Sequence, residues 1–169
     1  KQNYVVDPTN KDARFDRSRI RVLTTKLISE GLTKSRFSNV IDNLKKADSA
    51  IENSLSEYGK NLIQIRGKSS LVITIKDFVK IPEEIQFRLL FRIIGYISNK
   101  KNKPRAKSIS NLMKKMIRRD FKSMTVHGCI FVNEGKEISI MLEHGRSNKT
   151  KKKRQLISFT KKGISDLFI

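Results

Sequence analysis

The sequence has few of the residues that several familiar folds and sites require. Its single cysteine, Cys129, cannot form an internal disulfide, so a reducing, cytoplasmic compartment fits best. None of its eight glycines is adjacent to another, and their spacing matches no Walker loop, dinucleotide fingerprint or nucleophile elbow. The longest apolar run, within 87–97, is interrupted by Arg88 and Arg92 and falls short of the roughly 20 residues that span a bilayer. These absences argue against a nucleotide-binding loop of those types and against a membrane protein.

Positive charge, in contrast, is abundant. The chain has 37 Lys and Arg against 16 Asp and Glu, a formal charge of +21, which favours polyanions as partners. The charge is clustered: 100–122 holds ten basic residues and one acid, 145–163 holds eight and none, and 14–36 holds seven and two. Such stretches can follow a phosphate backbone and release counterions.

This clustered charge has three other interpretations. A lysine-rich composition of the kind an AT-rich coding sequence produces would leave the same residues as a solvated face. A membrane surface is disfavoured because no predicted helix combines a clean basic face with exposed Trp or Phe anchors. A DNA-reading helix could be drawn within 107–119, but the helix-turn-helix spacing before it is missing. Nucleic acid is therefore the favoured partner, and DNA is the closest alternative to RNA.

Hydrophobic periodicity predicts an α+β fold. An antiparallel helix pair and two further helices form a helical N-terminal part, and a small C-terminal domain containing a β-hairpin follows. Predicted helices cover 13–30, 33–62 (capped by Thr33), 82–97 and 106–119. Predicted strands cover 71–75, 124–132, 137–142 and 156–160, with a hairpin turn at Gly135.

The second predicted helix carries a seam of apolar residues in steps of three and four. We expect this seam to pack against the first helix, because two helices joined by a short turn form an antiparallel pair. The residues of the seam are Phe37, Ile41, Leu44, Ile51, Leu55, Tyr58 and Leu62.

Few residues offer catalytic or metal-binding chemistry. His127 and Cys129, with His144 beyond the hairpin, are the one group of borderline metal ligands, and a zinc site needs three or four. We interpret them as part of a half-buried strand in which Cys129 acts as a small hydrophobe, and we predict no metal. The carboxylates indicate no general acid or base.

The most specific pattern lies near the start of the chain. The turn Asp7-Pro8-Thr9-Asn10-Lys11-Asp12 precedes a helix that carries Arg14, Arg17 and Arg21. Their spacing stacks them on one face, where arginine forks suit phosphate oxygens. The alternative is an arginine face clamped to acidic groups of a neighbouring domain.

This pattern resembles the tRNA(Ile)-lysidine synthases. In that family an Asp-x-Ser/Thr-Asn-x-Asp segment and then aromatic-x-Arg-x-x-apolar-Arg follow the nucleotide-binding domain. The matching residues are Asp7, Asn10, Asp12, Phe15, Arg17, Ile20 and Arg21, and Thr125–Cys129 also looks like the family's C-terminal region. The resemblance implies the C-terminal portion of a ligase that uses ATP to attach lysine to the wobble cytidine of tRNA(Ile), which changes decoding from AUG to AUA.

The resemblance also implies what this portion lacks. The family's Ser-Gly-Gly-x-Asp-Ser loop is absent, so ATP would be bound by an N-terminal domain outside this chain, and we expect the chain alone to be inactive. Because it opens on Lys1 and closes on an apolar segment, we expect it to be part of a longer protein. The expected division is a linker turn and helix (1–32), a mainly helical tRNA-contacting domain (33–121) and a small mixed or β domain (122–169).

Several residues receive expected roles on this basis. By the motif, Arg17 and Arg21 would contact tRNA beside the active site, and Asp7, Asn10 and Asp12 would form the turn that precedes them. Charge alone adds Arg14 and Arg19 to this group. Phosphates of the tRNA body would be held by Lys114, Lys115, Arg118, Arg119, Lys151, Lys152, Lys153 and Arg154.

Two other functions remain open. One is a stand-alone basic RNA- or DNA-binding module without enzymatic activity. The other is an interaction protein whose arginine helix docks onto an acidic protein. The oligomeric state is not predicted.

Overall fold

A computed structural model describes residues 16–67 and 69–143, together with residues 160 and 163. These residues fall into two compact units that divide between Ser49 and Ala50. The first unit contains the helix α1 (Asp16–Ser29) and the start of the helix α2 (Lys34–Leu62), which continues into the second unit. The second unit contains the helices α3 (Ile75–Phe78), α4 (Glu83–Ser98) and α5 (Ala106–Arg118) and the strands β1 (Ile63–Arg66), β2 (Ser70–Thr74), β3 (Ser123–Val126), β4 (Cys129–Asn133) and β5 (Glu137–Leu142).

Local capping chemistry determines the turn between α1 and α2. Gly31 has φ +89°, a left-handed conformation that glycine adopts without steric cost. The backbone N–H of Leu32 donates to Leu27 O at 2.9 Å, and that of Gly31 donates to Ile28 O at 3.0 Å, which is the Schellman pattern. Thr33 Oγ1 then accepts from the backbone N–H of Arg36 at 3.3 Å and caps α2, as predicted.

A five-stranded antiparallel sheet organises the second unit. Its strand order is β1-β2-β5-β4-β3, so β2 pairs with β5 although three helices and two strands separate them in the sequence. In this pair Leu71 lies opposite Ile140 and Ile73 lies opposite Ile138. The predicted α+β fold is confirmed, and so is the hairpin at Gly135, which joins β4 to β5.

The core lies between this sheet and α4 and α5. The long apolar face of α4 is fully covered, and Ile109, Leu112 and Met116 of α5 are buried with it. Phe131 and Ile140 complete the core from the sheet. The end of α2 joins this core through buried Leu55, and Glu52 pairs with Arg88 at 2.7 Å and with Arg92.

The structure corrects several predictions of local structure. The predicted strand 124–132 is two strands, because His127 and Gly128 form a tight turn with φ of +51° and +86°. The strand β1 and the short helix α3 were not predicted. The expected domain boundaries after residues 32 and 121 stay a prediction. The compact units divide after Ser49, and strands from both sides of residue 121 form one sheet.

The apolar seam of α2 also differs from the prediction in where its residues are buried. Leu55 and Leu62 are buried in the second unit, and Ile51 packs against its core. Phe37 and Leu44, in contrast, are 49% and 64% exposed.

None of the helices within the described residues has the length and apolar composition needed to span a bilayer.

Candidate nucleic-acid interface

The clearest cationic surface in the second unit lies along α5. The helix is amphipathic: Ile109, Leu112, Met113 and Met116 are buried, whereas Lys107, Lys114 and Arg118 are exposed. Spacings of seven and four residues place these three cations on one face. At about 1.5 Å per residue they extend over about 16 Å of the helix, and exposed Lys115 lies beside them. We call the row of Lys107, Lys114 and Arg118 the α5 ridge.

The end of α5 is held by the sheet. Arg119 has φ +57°, an uncommon conformation for a side chain other than glycine, and it ends the helix. Asn133 Nδ2 donates to Phe121 O at 3.0 Å and contacts Arg119 O at 3.5 Å. The structure thus gathers the predicted phosphate contacts Lys114, Lys115, Arg118 and Arg119 on one exposed helix end. Cations at a helix C-terminus also stabilise the helix itself. The charge of these residues therefore suits helix stabilisation as well as phosphate binding.

An ion cluster lies near this end, in an open pocket of about 800 Å³ that Arg119 and Lys136 also line. Arg66 on β1 donates to Glu134 at 2.6 Å and to Glu137, and its pKa is raised by these two hydrogen bonds. The pKa of Glu134 is lowered, first by the hydrogen bond from Ser139 Oγ and then by Arg66. Both carboxylates therefore accept hydrogen bonds from Arg66, and Glu134 is disfavoured as a proton donor. Sequence reasoning missed this cluster, because its members are distant in the chain.

Two of the predicted borderline ligands, His127 and Cys129, have hydrogen-bond partners within the second unit. His127 Nε2 lies 2.8 Å from Asn102 O and donates to it, since a carbonyl oxygen can only accept. Cys129 is buried, and its Sγ lies 3.6 Å from Ile94 O. Burial raises the pKa of the Cys129 thiol to about 12. In the described part of the chain, no group of three or more His, Cys, Asp or Glu could hold a metal, and His144 lies outside that part.

The first unit presents arginines on α1. Arg17 and Arg21 are exposed and four residues apart, which places them on one side of the helix. Arg19 forms a salt bridge with Asp16. The other predicted residues, namely Asp7, Asn10, Asp12, Arg14 and Lys151, Lys152, Lys153 and Arg154, lie outside the described residues.

An apolar groove of about 390 Å³ also lies in the first unit, and it was not predicted. Leu27 and Ile28 of α1 and Phe37 and Ile41 of α2 contribute most of its lining. These four side chains are 42–49% exposed. The exposed apolar periodicity of α1 and α2 was the signal that could have indicated it.

The fold and these surfaces define an α+β protein with strongly cationic helices. Comparison with known proteins then narrows the class. No family model matches the chain. It is similar to the tRNA(Ile)-lysidine synthase of Ruegeria pomeroyi, with 27% identity over 140 residues that cover 83% of this chain and 33% of that protein. The enzymes of the same name from Wolbachia sp. subsp. Brugia malayi and Wolbachia pipientis wMel are 26% and 24% identical over 144 residues, covering 85% of this chain and 33% of each.

The resemblance found from the motif is therefore confirmed: the chain is similar to the tRNA(Ile)-lysidine synthases. It spans about a third of the length of these relatives.

Proposed function

We propose that this chain is the tRNA-binding, C-terminal part of an ATP-dependent ligase that attaches lysine to the wobble cytidine of tRNA(Ile). The relatives are named tRNA(Ile)-lysidine synthases. The observation that carries the binding role is the α5 ridge, with Lys115 and Arg119 beside it, exposed on a helix whose opposite face is buried in the core. Such a surface meets phosphates without rearranging the fold.

In this proposal the chain binds tRNA and the chemistry takes place elsewhere in the longer protein. Of the described residues, Cys129 is buried as a thiol, and Glu134 and Glu137 are engaged by Arg66, so these groups do not suit acid-base work. ATP and lysine would bind outside this chain. Incorporation of labelled lysine into tRNA by the purified chain alone would contradict this division.

Arg17 and Arg21 have a separate role in the proposal. They match the motif of the family, and both are exposed on α1. A guanidinium there would hold the anticodon end of the tRNA beside the active site, since arginine binds phosphate oxygens through two donors at once. The α5 ridge would hold the tRNA body through charge and shape.

The binding role is tested by the salt dependence of tRNA affinity. If about five phosphate contacts form, a fourfold increase in salt from about 50 mM should weaken binding by roughly two to three decades. Fluorescence anisotropy of labelled tRNA measures this slope. The double variant Lys114→Ala/Arg118→Ala should lower the slope by about two, one per lost contact.

A matched control keeps the comparison specific. Lys76 on α3 is exposed but lies outside the basic clusters, so Lys76→Ala should leave the slope unchanged. A wild-type affinity that does not change with salt would overturn the binding role. Equal weakening by the control and the double variant would show that total charge matters and the α5 ridge does not.

A second function, a stand-alone basic RNA- or DNA-binding module, has the same cationic surface in its favour. The activity of the longer protein distinguishes these two proposed functions. Lysine transfer to tRNA by the complete gene product favours the ligase, and tight binding of tRNA and DNA without lysine transfer favours the module.

A further inference from the structure

The loop between α4 and α5, residues 99–105, is tied to the rest of the second unit at several points. Asn99 ends α4 with φ +44°, and its backbone N–H donates to Gly95 O at 3.1 Å. In the middle of the loop, Asn102 O accepts the hydrogen bond from His127 at 2.8 Å. Near its end, Pro104 is buried. These contacts hold the loop at its start, in its middle and near its end.

The turn that holds the loop is itself unusual. His127 and Gly128 are the two central residues of the β3–β4 hairpin, and both have positive φ, which is the type I′ geometry. A histidine in this conformation is uncommon. A Cβ at Gly128 would lie 2.8 Å from Nζ of Lys100, because the end of this lysine side chain packs over the turn. The hairpin turn and the loop therefore fit against each other.

The loop 99–105 carries exposed basic residues. Lys101, Lys103 and Arg105 are exposed, and within 16–67 and 69–143 no carboxylate forms a salt bridge with any of them. Arg105 directly precedes α5, so the loop leads into the helix that carries the α5 ridge. The sequence placed these three residues in the basic stretch 100–122 but gave them no individual role, and it linked His127 only to a borderline metal-ligand group.

We propose that residues 99–105 form a preformed phosphate-binding loop for the RNA backbone, with His127 as the positioning residue that sets its shape. This inference rests on the proposed RNA-binding function and adds a second set of phosphate contacts before the α5 ridge. A flexible lysine loop loses conformational freedom when it binds, whereas a loop already held by His127 loses less. The partner is the sugar-phosphate backbone, because lysine and arginine contacts of this kind carry no base information.

The loop itself is tested in the full 169-residue chain. Lys101→Ala/Lys103→Ala should lower the slope of log affinity against log salt by about two, without changing the thermal unfolding midpoint. An unchanged slope in this variant, when Lys114→Ala/Arg118→Ala does lower it, would overturn the loop while leaving the proposed function intact. A wild-type chain that binds no tRNA would overturn both. Competition by poly-glutamate as effective as that by tRNA would point to an acidic protein and overturn the loop proposal as well.

The positioning role needs variants that separate the loop from the hairpin. His127→Gly removes the side chain but keeps a Gly-Gly turn that favours type I′ geometry, so the hairpin should persist. We expect its salt slope to fall by about one, since a freed loop should lose on average one contact. His127→Gln can keep a nitrogen donor near the position of Nε2 and should restore the wild-type slope. If both variants bind as the wild type does, His127 does not position the loop.

Discussion

Arg88 and Arg92 are about a quarter to a third exposed and contact Glu52, whereas Arg17, Arg21 and Arg118 are exposed to solvent. Arginine thus serves two purposes in this protein. Paired arginines inside the second unit connect its helices, and exposed ones remain available to an external anion. This difference depends on which carboxylates the fold brings near each arginine, and not on residue type.

Cys129 shows how burial changes the chemistry of a single side chain. Burial raises the pKa of its thiol from 9.0 to about 12, so the folded protein keeps the neutral form where an unfolded chain ionises. Stability from this residue is therefore complete below about pH 9 and is lost as the pH rises from there towards 12.

We expect the wild type to lose about 1–2 kcal/mol of unfolding free energy between about pH 8 and 10.5, beyond the loss shown by Cys129→Ala. Urea titrations of both proteins at the two pH values measure this difference. Iodoacetamide should also leave native Cys129 unmodified at neutral pH and react once urea unfolds the chain. Rapid labelling of the native protein would show that the thiol is accessible.

At the scale of the elements, α2 is tied to α4 by charge as well as by the burial of Leu55. Glu52 on α2 accepts from Arg88 at 2.7 Å and also pairs with Arg92, and all three side chains are about one quarter to one third exposed. Partial burial reduces screening by water, so this network contributes more than an exposed pair does.

We expect Glu52→Gln to lower the free energy of unfolding by about 1 kcal/mol. Glu84→Gln is the matched control, because Glu84 also pairs with Arg88, but within α4 and with a side chain that is 54% exposed. That control should cost no more than about 0.5 kcal/mol. Equal costs in urea denaturation would mean that the α2–α4 contact adds nothing to the helical pair.

For the whole molecule, the two units present different cationic helices. The first unit offers Arg17 and Arg21, which match the family motif, and the second offers the α5 ridge, which matches none. If the proposed function holds, the two surfaces should affect different steps of the reaction.

In the complete enzyme, we expect Arg17→Ala or Arg21→Ala to lower turnover at saturating tRNA by about a hundredfold, as loss of a charge used in the transition state commonly does. Lys114→Ala/Arg118→Ala should instead raise the tRNA concentration that is needed and leave turnover nearly unchanged. Steady-state lysine transfer measures both, with circular dichroism as the folding control. Full turnover by the α1 variants would contradict this division of roles.

Some features of this protein could be predicted from sequence alone because they depend on neighbouring residues. Gly31 and Thr33 end one helix and start the next through contacts within five residues, and the hairpin at Gly135 joins strands that are adjacent in the chain. The α5 ridge could be predicted for the same reason, since helical spacing alone places charges on one face. The α+β class followed from such local patterns.

Other features depended on residues that only the folded chain brings together. Arg66 pairs with Glu134 across 68 positions of sequence, β2 pairs with β5, and Leu55 is buried while Phe37 on the same seam is exposed. His127 was read as part of a strand, yet it forms a turn and holds a loop 25 residues away. Hydrophobic periodicity predicts which side chains are buried, but not which residues they pack against. Only the tertiary structure decides these contacts, because packing minimises the free energy of the whole core.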